Sequence, residues 1–158
     1  MINKITYIEN FLSQEECDVF VKEANKAKES DWQFTGLYNI LKSSNHKDVK
    51  NIKNKLDLIF DNKFHIQRPQ VIHKTDSLSR WEYHSDDEGG KDIKYGIVIY
   101  LNDNFQGGET SYKKINLNVV PKAGAIIIHP ADDKFEHTVT DVIDGIRYTL
   151  TSFAREQK

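Results

Sequence analysis

The period of apolar residues along this chain changes near residue 60. Before that point they recur every three or four positions. Val19, Phe20, Ala24 and Ala27 make one stripe, and Val49, Ile52, Leu56 and Ile59 make another. This spacing predicts two amphipathic helices, over about residues 13–28 and about 47–60. Ser13 with Glu16 three residues later is a capping-box pattern and marks the start of the first. After Phe64 the helical period disappears. Residues 65–68 and 69–73 read as extended, and residues 95–101 are almost continuously apolar, as a buried strand should be. Residues 110–112, 117–120, 125–128, 136–142 and 146–154 follow as strands, and Ile5 and Tyr7 alternate in a short opening one. Residues 102–108 are rich in turn formers and predict a hairpin. Residues 121–124 form a turn, and Asp144-Gly145 suits a tight turn between the last two strands.

Two helices followed by about eight short strands predict an α+β, mainly β fold. The expected architecture is a double-sheet jelly roll with the N-terminal helices packed outside one sheet. Each helix has one apolar stripe, so each needs one packing surface and one wet face. We find no linker, internal repeat or low-complexity tract. A single domain over 1–158 is therefore expected, with helical support over about 1–63 and the jelly-roll core over about 64–155.

The 158 residues suffice for one compact core. A net charge of -2 gives no basic footprint for nucleic acid. No apolar run approaches the roughly 18 residues of a membrane span. The first seven residues do not build a signal peptide. The one cysteine, Cys17, has no internal disulfide partner and points to a reducing compartment. The expected location is cytoplasmic. Any metal site must be built from histidines and carboxylates.

His84-Ser85-Asp86 supplies such groups. Two residues apart on an extended segment, a His and an Asp point to the same side. A second His from another strand would complete two imidazoles and one carboxylate, the set that leaves open positions on non-haem Fe(II). Asp87, Glu88, Gly89 and Gly90 favour the alternative, a plain polar loop. Two histidines compete for the third ligand. His129 ends a strand before Pro130, where a polar residue commonly meets solvent. His137 is favoured, because a hairpin centred near Val142 would set it opposite Arg147. Arg147, Thr149, Thr151 and Phe153 share one face of the last strand. An Arg between apolar neighbours needs a counter-ion, either a structural carboxylate or that of a ligand.

Residues 81–154 resemble the catalytic core of the Fe(II)/2-oxoglutarate-dependent dioxygenases, most closely the prolyl 4-hydroxylase-like branch. The matching stretches are Tyr83-His84-Ser85-Asp86, Ile97-Val98-Ile99-Tyr100-Leu101-Asn102-Asp103, Phe105-Gln106-Gly107-Gly108-Glu109-Thr110, Val120-Pro121-Lys122-Ala123-Gly124, His137-Thr138-Val139 and Gly145-Ile146-Arg147-Tyr148. The resemblance implies a double-stranded β-helix in which His84, Asp86 and His137 hold Fe(II). Arg147 would bind the distal carboxylate of 2-oxoglutarate, and Tyr100 would donate its hydroxyl to the same group. Thr149 or Thr151 would add a hydrogen bond beside it. O₂ would be the second co-substrate and ascorbate a reductant. The implied reaction converts 2-oxoglutarate to succinate and CO₂ while hydroxylating a C–H bond. Three positions depart from the branch. His73 stands where many prolyl hydroxylases have Tyr, Arg147 where collagen-type members have Lys, and Phe153 where a Trp is frequent.

The expected substrate is a proline-containing peptide or protein, in a groove lined by Trp81 and Tyr83. Proline rings pack flat on aromatic side chains, and extended proline-rich segments lose little entropy on binding. Two alternatives compete. One is hydroxylation of a free amino acid or small metabolite, the other a non-catalytic jelly-roll binding protein. Nucleic-acid demethylation is disfavoured by the acidic balance. Oligomeric state is not legible in the sequence.

Overall fold

The computed structural model describes residues 4–87 and 92–157. The Glu88, Gly89 and Gly90 part of the expected polar loop lies outside them. In chain order the elements are β1 (Thr6–Ile8), α1 (Gln14–Lys26), β2 (Gln33–Phe34), β3 (Asn39–Lys42), α2 (His46–Ile59), β4 (Phe64–Ile66) and β5 (Val71–Thr75). Then come β6 (Ile93–Tyr100), β7 (Gln106–Gly107), β8 (Thr110–Tyr112), β9 (Leu117–Val119), β10 (Ile126–Pro130), β11 (His137–Val139), β12 (Val142–Asp144) and β13 (Arg147–Glu156).

Both helices form where the apolar stripes place them. Ser13 Oγ accepts the Glu16 N–H, and the Glu16 carboxylate accepts the Ser13 N–H at 2.8 Å, so the capping box closes. Phe20 and Ala24 of α1 and Val49, Ile52 and Leu56 of α2 are buried. They pack in one cluster with Ile72, Ile97, Ile99, Ile128 and Leu150 of the large sheet. These strand residues alternate along β5, β6, β10 and β13, so they make up the outer face of that sheet. The helices cover this face from outside, as expected.

The large sheet has the order β1-β10-β6-β13-β5-β3-β2, with β4 also pairing β13. Opposite it stand a three-stranded sheet, β11-β8-β9, and a two-stranded one, β12-β7. A smaller apolar cluster between the layers joins Tyr100, Tyr112, Ala125, Ile127 and Phe135. This is the double-sheet jelly roll that the pattern predicts.

Several local expectations are corrected. The expected opening strand forms as β1, but β2 and β3 join the large sheet as well, so the first 63 residues contribute more strands than expected. Residues 102–108 do not close a hairpin, because β6 lies in the large sheet while β7 and β8 pair with β12 and β11. Turn residues there reverse the chain and also carry it from one layer to the other. The stretch read as one strand over 136–142 is divided into β11 and β12. His137 is not opposite Arg147 in a hairpin. It faces Tyr112 across the β11–β8 pair, while Arg147 faces Thr75 of β5. The two residues approach across the cavity between layers.

Candidate active site

Four strands aim polar side chains into the space between the sheets. On β13 the inward positions are Arg147, Thr149, Thr151 and Phe153, all lining one cavity of about 100 Å³. His73 of β5 and Val98 of β6 line it from the same sheet, and Thr110 and His137 from the facing one. Trp81, His84 and Asp86 enter from the segment between β5 and β6.

His84 and Asp86 do not converge by strand alternation. His84 makes an isolated bridge to His137, its N–H and C=O both paired with that residue, and Asp86 begins a turn. Ligand atoms of His84, Asp86 and His137 lie within 4.8 Å of one another. His84 Nδ1 is 3.0 Å from the Glu82 carbonyl, and His137 Nδ1 is 3.1 Å from the Phe135 carbonyl. A carbonyl only accepts, so each Nδ1 carries a proton and each Nε2 is the nitrogen left to ligate. Burial, with His129 beside it, pushes the His137 imidazole down to about 3, which keeps it neutral. Burial works to raise the Asp86 carboxyl. The His129 hydrogen bond and the three surrounding imidazoles outweigh it and hold Asp86 below its ordinary value. Two imidazoles, each with Nε2 left to ligate, and a carboxylate held below its ordinary value are a fitting donor set for a divalent first-row metal.

His129 overturns its sequence reading. It is 0 % exposed rather than at a solvated strand end. Its Nε2 lies 2.8 Å from Asp86 Oδ2 and its Nδ1 2.8 Å from the Tyr112 hydroxyl. Both ring nitrogens are thus occupied, and neither is free to ligate. The sequence does hold a signal for this. Ile127 and His129 share the inward face of a strand buried on both sides, where a polar side chain must find a partner.

Gly96 makes room for this contact. A Cβ there would collide with the Asp86 carboxylate and the His129 ring. Gly96→Ala is therefore expected to weaken metal binding by at least tenfold and to lose about 1–3 kcal/mol of stability through overpacking. Metal titration and thermal unfolding of the variant check this, and a wild-type affinity would refute it.

At the other end of the cavity, Arg147 is 2 % exposed. Its guanidinium lies 5.3 Å from the Tyr100 ring centre and donates through Nη2 to Thr110 Oγ1 at 3.4 Å. Tyr100 and Thr110 share a 2.6 Å hydrogen bond. Nε of Arg147 is buried without a partner. Among the described residues no carboxylate pairs with Arg147. A structural ion pair, one of the two sequence readings, is thus absent from this part of the chain. Gly108, at φ +67°, lies against Phe105 and the aliphatic stem of Arg147, so it serves the anchor as well as the bend.

Thr149 is buried beside Tyr100, its partner across the β13–β6 pair. Thr151 Oγ1 is 3.1 Å from His73 Nε2, so its hydrogen-bonding capacity is shared with that ring. Burial, helped by the Arg147 charge, pushes His73 down to about 4. Trp81 stacks flat on Tyr38, with centroids 3.8 Å apart and 4° between planes. Tyr38 comes from the β2–β3 turn, and the sequence carries no local signal for this contact. Tyr83 is 42 % exposed and is not among the residues lining this cavity, its hydroxyl 3.4 Å from Ser111 Oγ.

The family model for the "2OG-Fe(II) oxygenase superfamily" matches residues 72–155. No curated protein matches the sequence. Among solved structures, the viral collagen prolyl hydroxylase of Paramecium Bursaria Chlorella virus-1, solved with 2OG, is similar at 16% identity and TM-score 0.78. The match covers 98% of this chain and 97% of that one. A Pseudomonas putida prolyl-4-hydroxylase is similar at 14% identity and TM-score 0.72, over 99% of this chain and 94% of that one. A Trichoplax adhaerens prolyl hydroxylase, in complex with a hypoxia inducible factor oxygen degradation domain peptide fragment, gives 13% identity and TM-score 0.77, over 98% and 84%.

Proposed function

The chain belongs to the 2OG-Fe(II) oxygenase superfamily, and from that premise we propose that it hydroxylates prolyl residues in a peptide or protein. The observation that carries the co-substrate assignment is the buried Arg147 guanidinium, its Nε without a partner and no carboxylate paired with it among the described residues, in the same cavity as the three clustered ligands. A buried cation that no carboxylate among the described residues pairs fits a dicarboxylate held at one end by metal and at the other by guanidinium.

His84, Asp86 and His137 would hold Fe(II), and Arg147, Tyr100, Thr110 and Thr149 would hold the distal carboxylate of 2-oxoglutarate. With O₂, the bound metal and co-substrate supply oxidative decarboxylation to succinate and CO₂ coupled to C–H hydroxylation. The chain's own part is positioning and exclusion of water. Carbonyl groups fix both imidazole tautomers, and Val98, Val139 and Phe153 keep the cavity walls apolar. Ascorbate is proposed as the reductant that keeps the metal ferrous.

The Trp81–Tyr38 stack beside His84 supports the prolyl reading, since it offers a flat aromatic wall next to the ligands. The similar structures that bear prolyl hydroxylase names point the same way. Incubation of proline-containing peptides with Fe(II), 2-oxoglutarate and ascorbate is expected to add one oxygen to proline, read by mass spectrometry. It should release succinate in equal amount. Turnover of a free amino acid with no peptide oxidised would replace this reading with the small-metabolite one. No helix among the described residues is long and apolar enough to cross a membrane.

A further inference from the structure

Behind the three ligands runs a hydrogen-bonded row that the sequence pattern does not reveal: Tyr112, His129 and Asp86. Tyr112 and His129 are both 0 % exposed, and they stand on different layers, Tyr112 on β8 and His129 on β10. The carboxylate of Asp86 is ionised and can only accept, so His129 Nε2 donates to Oδ2 at 2.8 Å. On the other side of the ring, Nδ1 shares a 2.8 Å hydrogen bond with the Tyr112 hydroxyl. The turn that carries Asp86 is pinned above His129 from both sides. The Asp87 N–H donates to the Ala131 carbonyl at 3.1 Å, and the Ile93 N–H donates to Asp87 Oδ1 at 3.0 Å. Gly96 keeps the floor of this contact clear, since any Cβ there would strike both Asp86 and His129. The other oxygen, Oδ1, faces the ligand cluster and lies 3.9 Å from His84 Nε2.

We propose that His129, set in place by Tyr112, is a positioning residue that holds Asp86 as a one-oxygen ligand, with Oδ2 kept away from the metal and Oδ1 left to bind it. This rests on the reading of His84, Asp86 and His137 as a metal centre. The chemical consequence is a matter of counting. A carboxylate bound through one oxygen takes one coordination position, and one bound through both takes two. Three protein ligands at one position each leave room for a chelating co-substrate and O₂ together. A swinging Asp86 would take up part of that room. Partners of this kind fix ligand orientation, and their loss typically lowers metal affinity or activity by about 10- to 100-fold.

The test uses Co(II) as the probe metal, with full-length wild type and three variants. His129→Leu removes the donor, His129→Gln keeps an N–H aimed from a similar distance, and Tyr112→Phe removes only the outer hydroxyl. Co(II) dissociation constants and the visible absorption bands of bound Co(II), which report coordination number, are measured alongside thermal unfolding of the metal-free proteins. The expected result is roughly 10- to 100-fold weaker binding and altered bands in His129→Leu. His129→Gln should recover to within about threefold of wild type, and Tyr112→Phe should fall between them. A merely structural role would shift all the melting temperatures and leave the affinities and bands of the folded variants unchanged, which overturns the proposal. Wild-type affinity and bands in His129→Leu overturn it as well. If the wild type itself binds no Co(II), the metal-centre reading fails along with it. Tight binding by the wild type and by every variant refutes the positioning role alone. Should His129→Leu fail to fold, His129→Gln and Tyr112→Phe decide: bands identical to wild type in Tyr112→Phe and loss of binding in His129→Gln contradict it.

Discussion

Replacing His137 with alanine (His137→Ala) is expected to abolish hydroxylation and to weaken metal binding by at least about 100-fold. The figure follows from sharing the roughly 10–16 kcal/mol of a four-ligand structural zinc site among its ligands, about 3 kcal/mol each. His137 is singled out because its Nδ1 is committed to the Phe135 carbonyl and its Nε2 faces His84 and Asp86. The rival, His129, has both nitrogens occupied. Competition titration with a chromophoric chelator measures the effect, and succinate release measures turnover. Full metal affinity in His137→Ala would show that the wrong histidine has been assigned.

The second large effect concerns the co-substrate. Arg147→Ala is expected to raise the 2-oxoglutarate concentration needed for half-maximal turnover by roughly 30- to 1000-fold, about 2–4 kcal/mol for a lost charge-assisted contact in a buried site. Metal affinity should stay near that of the wild type, because Arg147 lies at the far end of the cavity from the ligands. Tyr100→Phe should act in the same direction more weakly, since Thr110 and the guanidinium remain. The measurement is initial rate against 2-oxoglutarate at saturating metal. An unchanged dependence in Arg147→Ala would mean that another cation anchors the co-substrate.

Much of this arrangement was legible in the residues. Helical spacing at 19, 20 and 24 and at 49, 52 and 56 predicts both helices and the face each buries, because only a helix brings residues three and four apart onto one side. Period two on the last strand correctly groups Arg147 with Thr149, Thr151 and Phe153, because alternation is a local property of extended chain. Strand pairing was much less legible. A turn-rich segment such as 102–108 reverses the chain direction, and it looks the same whether the next strand pairs with its neighbour or joins the opposite layer. For the same reason the contact of His137 with Tyr112 could not be read from spacing. Gly96 and Tyr38 were hidden differently. Their importance lies in what they touch across the fold, the Asp86–His129 pair and the Trp81 ring, and neither contact leaves a trace in nearby sequence.

The distribution of the site among layers has a consequence for the life of the chain before folding is complete. His137 belongs to the three-stranded sheet, the support of Asp86 comes from β10 and β6 of the large sheet, and His84 is tied across to β11 by a single bridge. No one layer owns a complete ligand set. A nascent or half-assembled chain therefore presents scattered histidines and carboxylates rather than a centre able to activate oxygen. Oxidising power, hazardous to any exposed polypeptide, becomes available only once the two faces of the roll have closed on each other. Reactivity is thereby made conditional on successful assembly, with no separate maturation device required among the residues described.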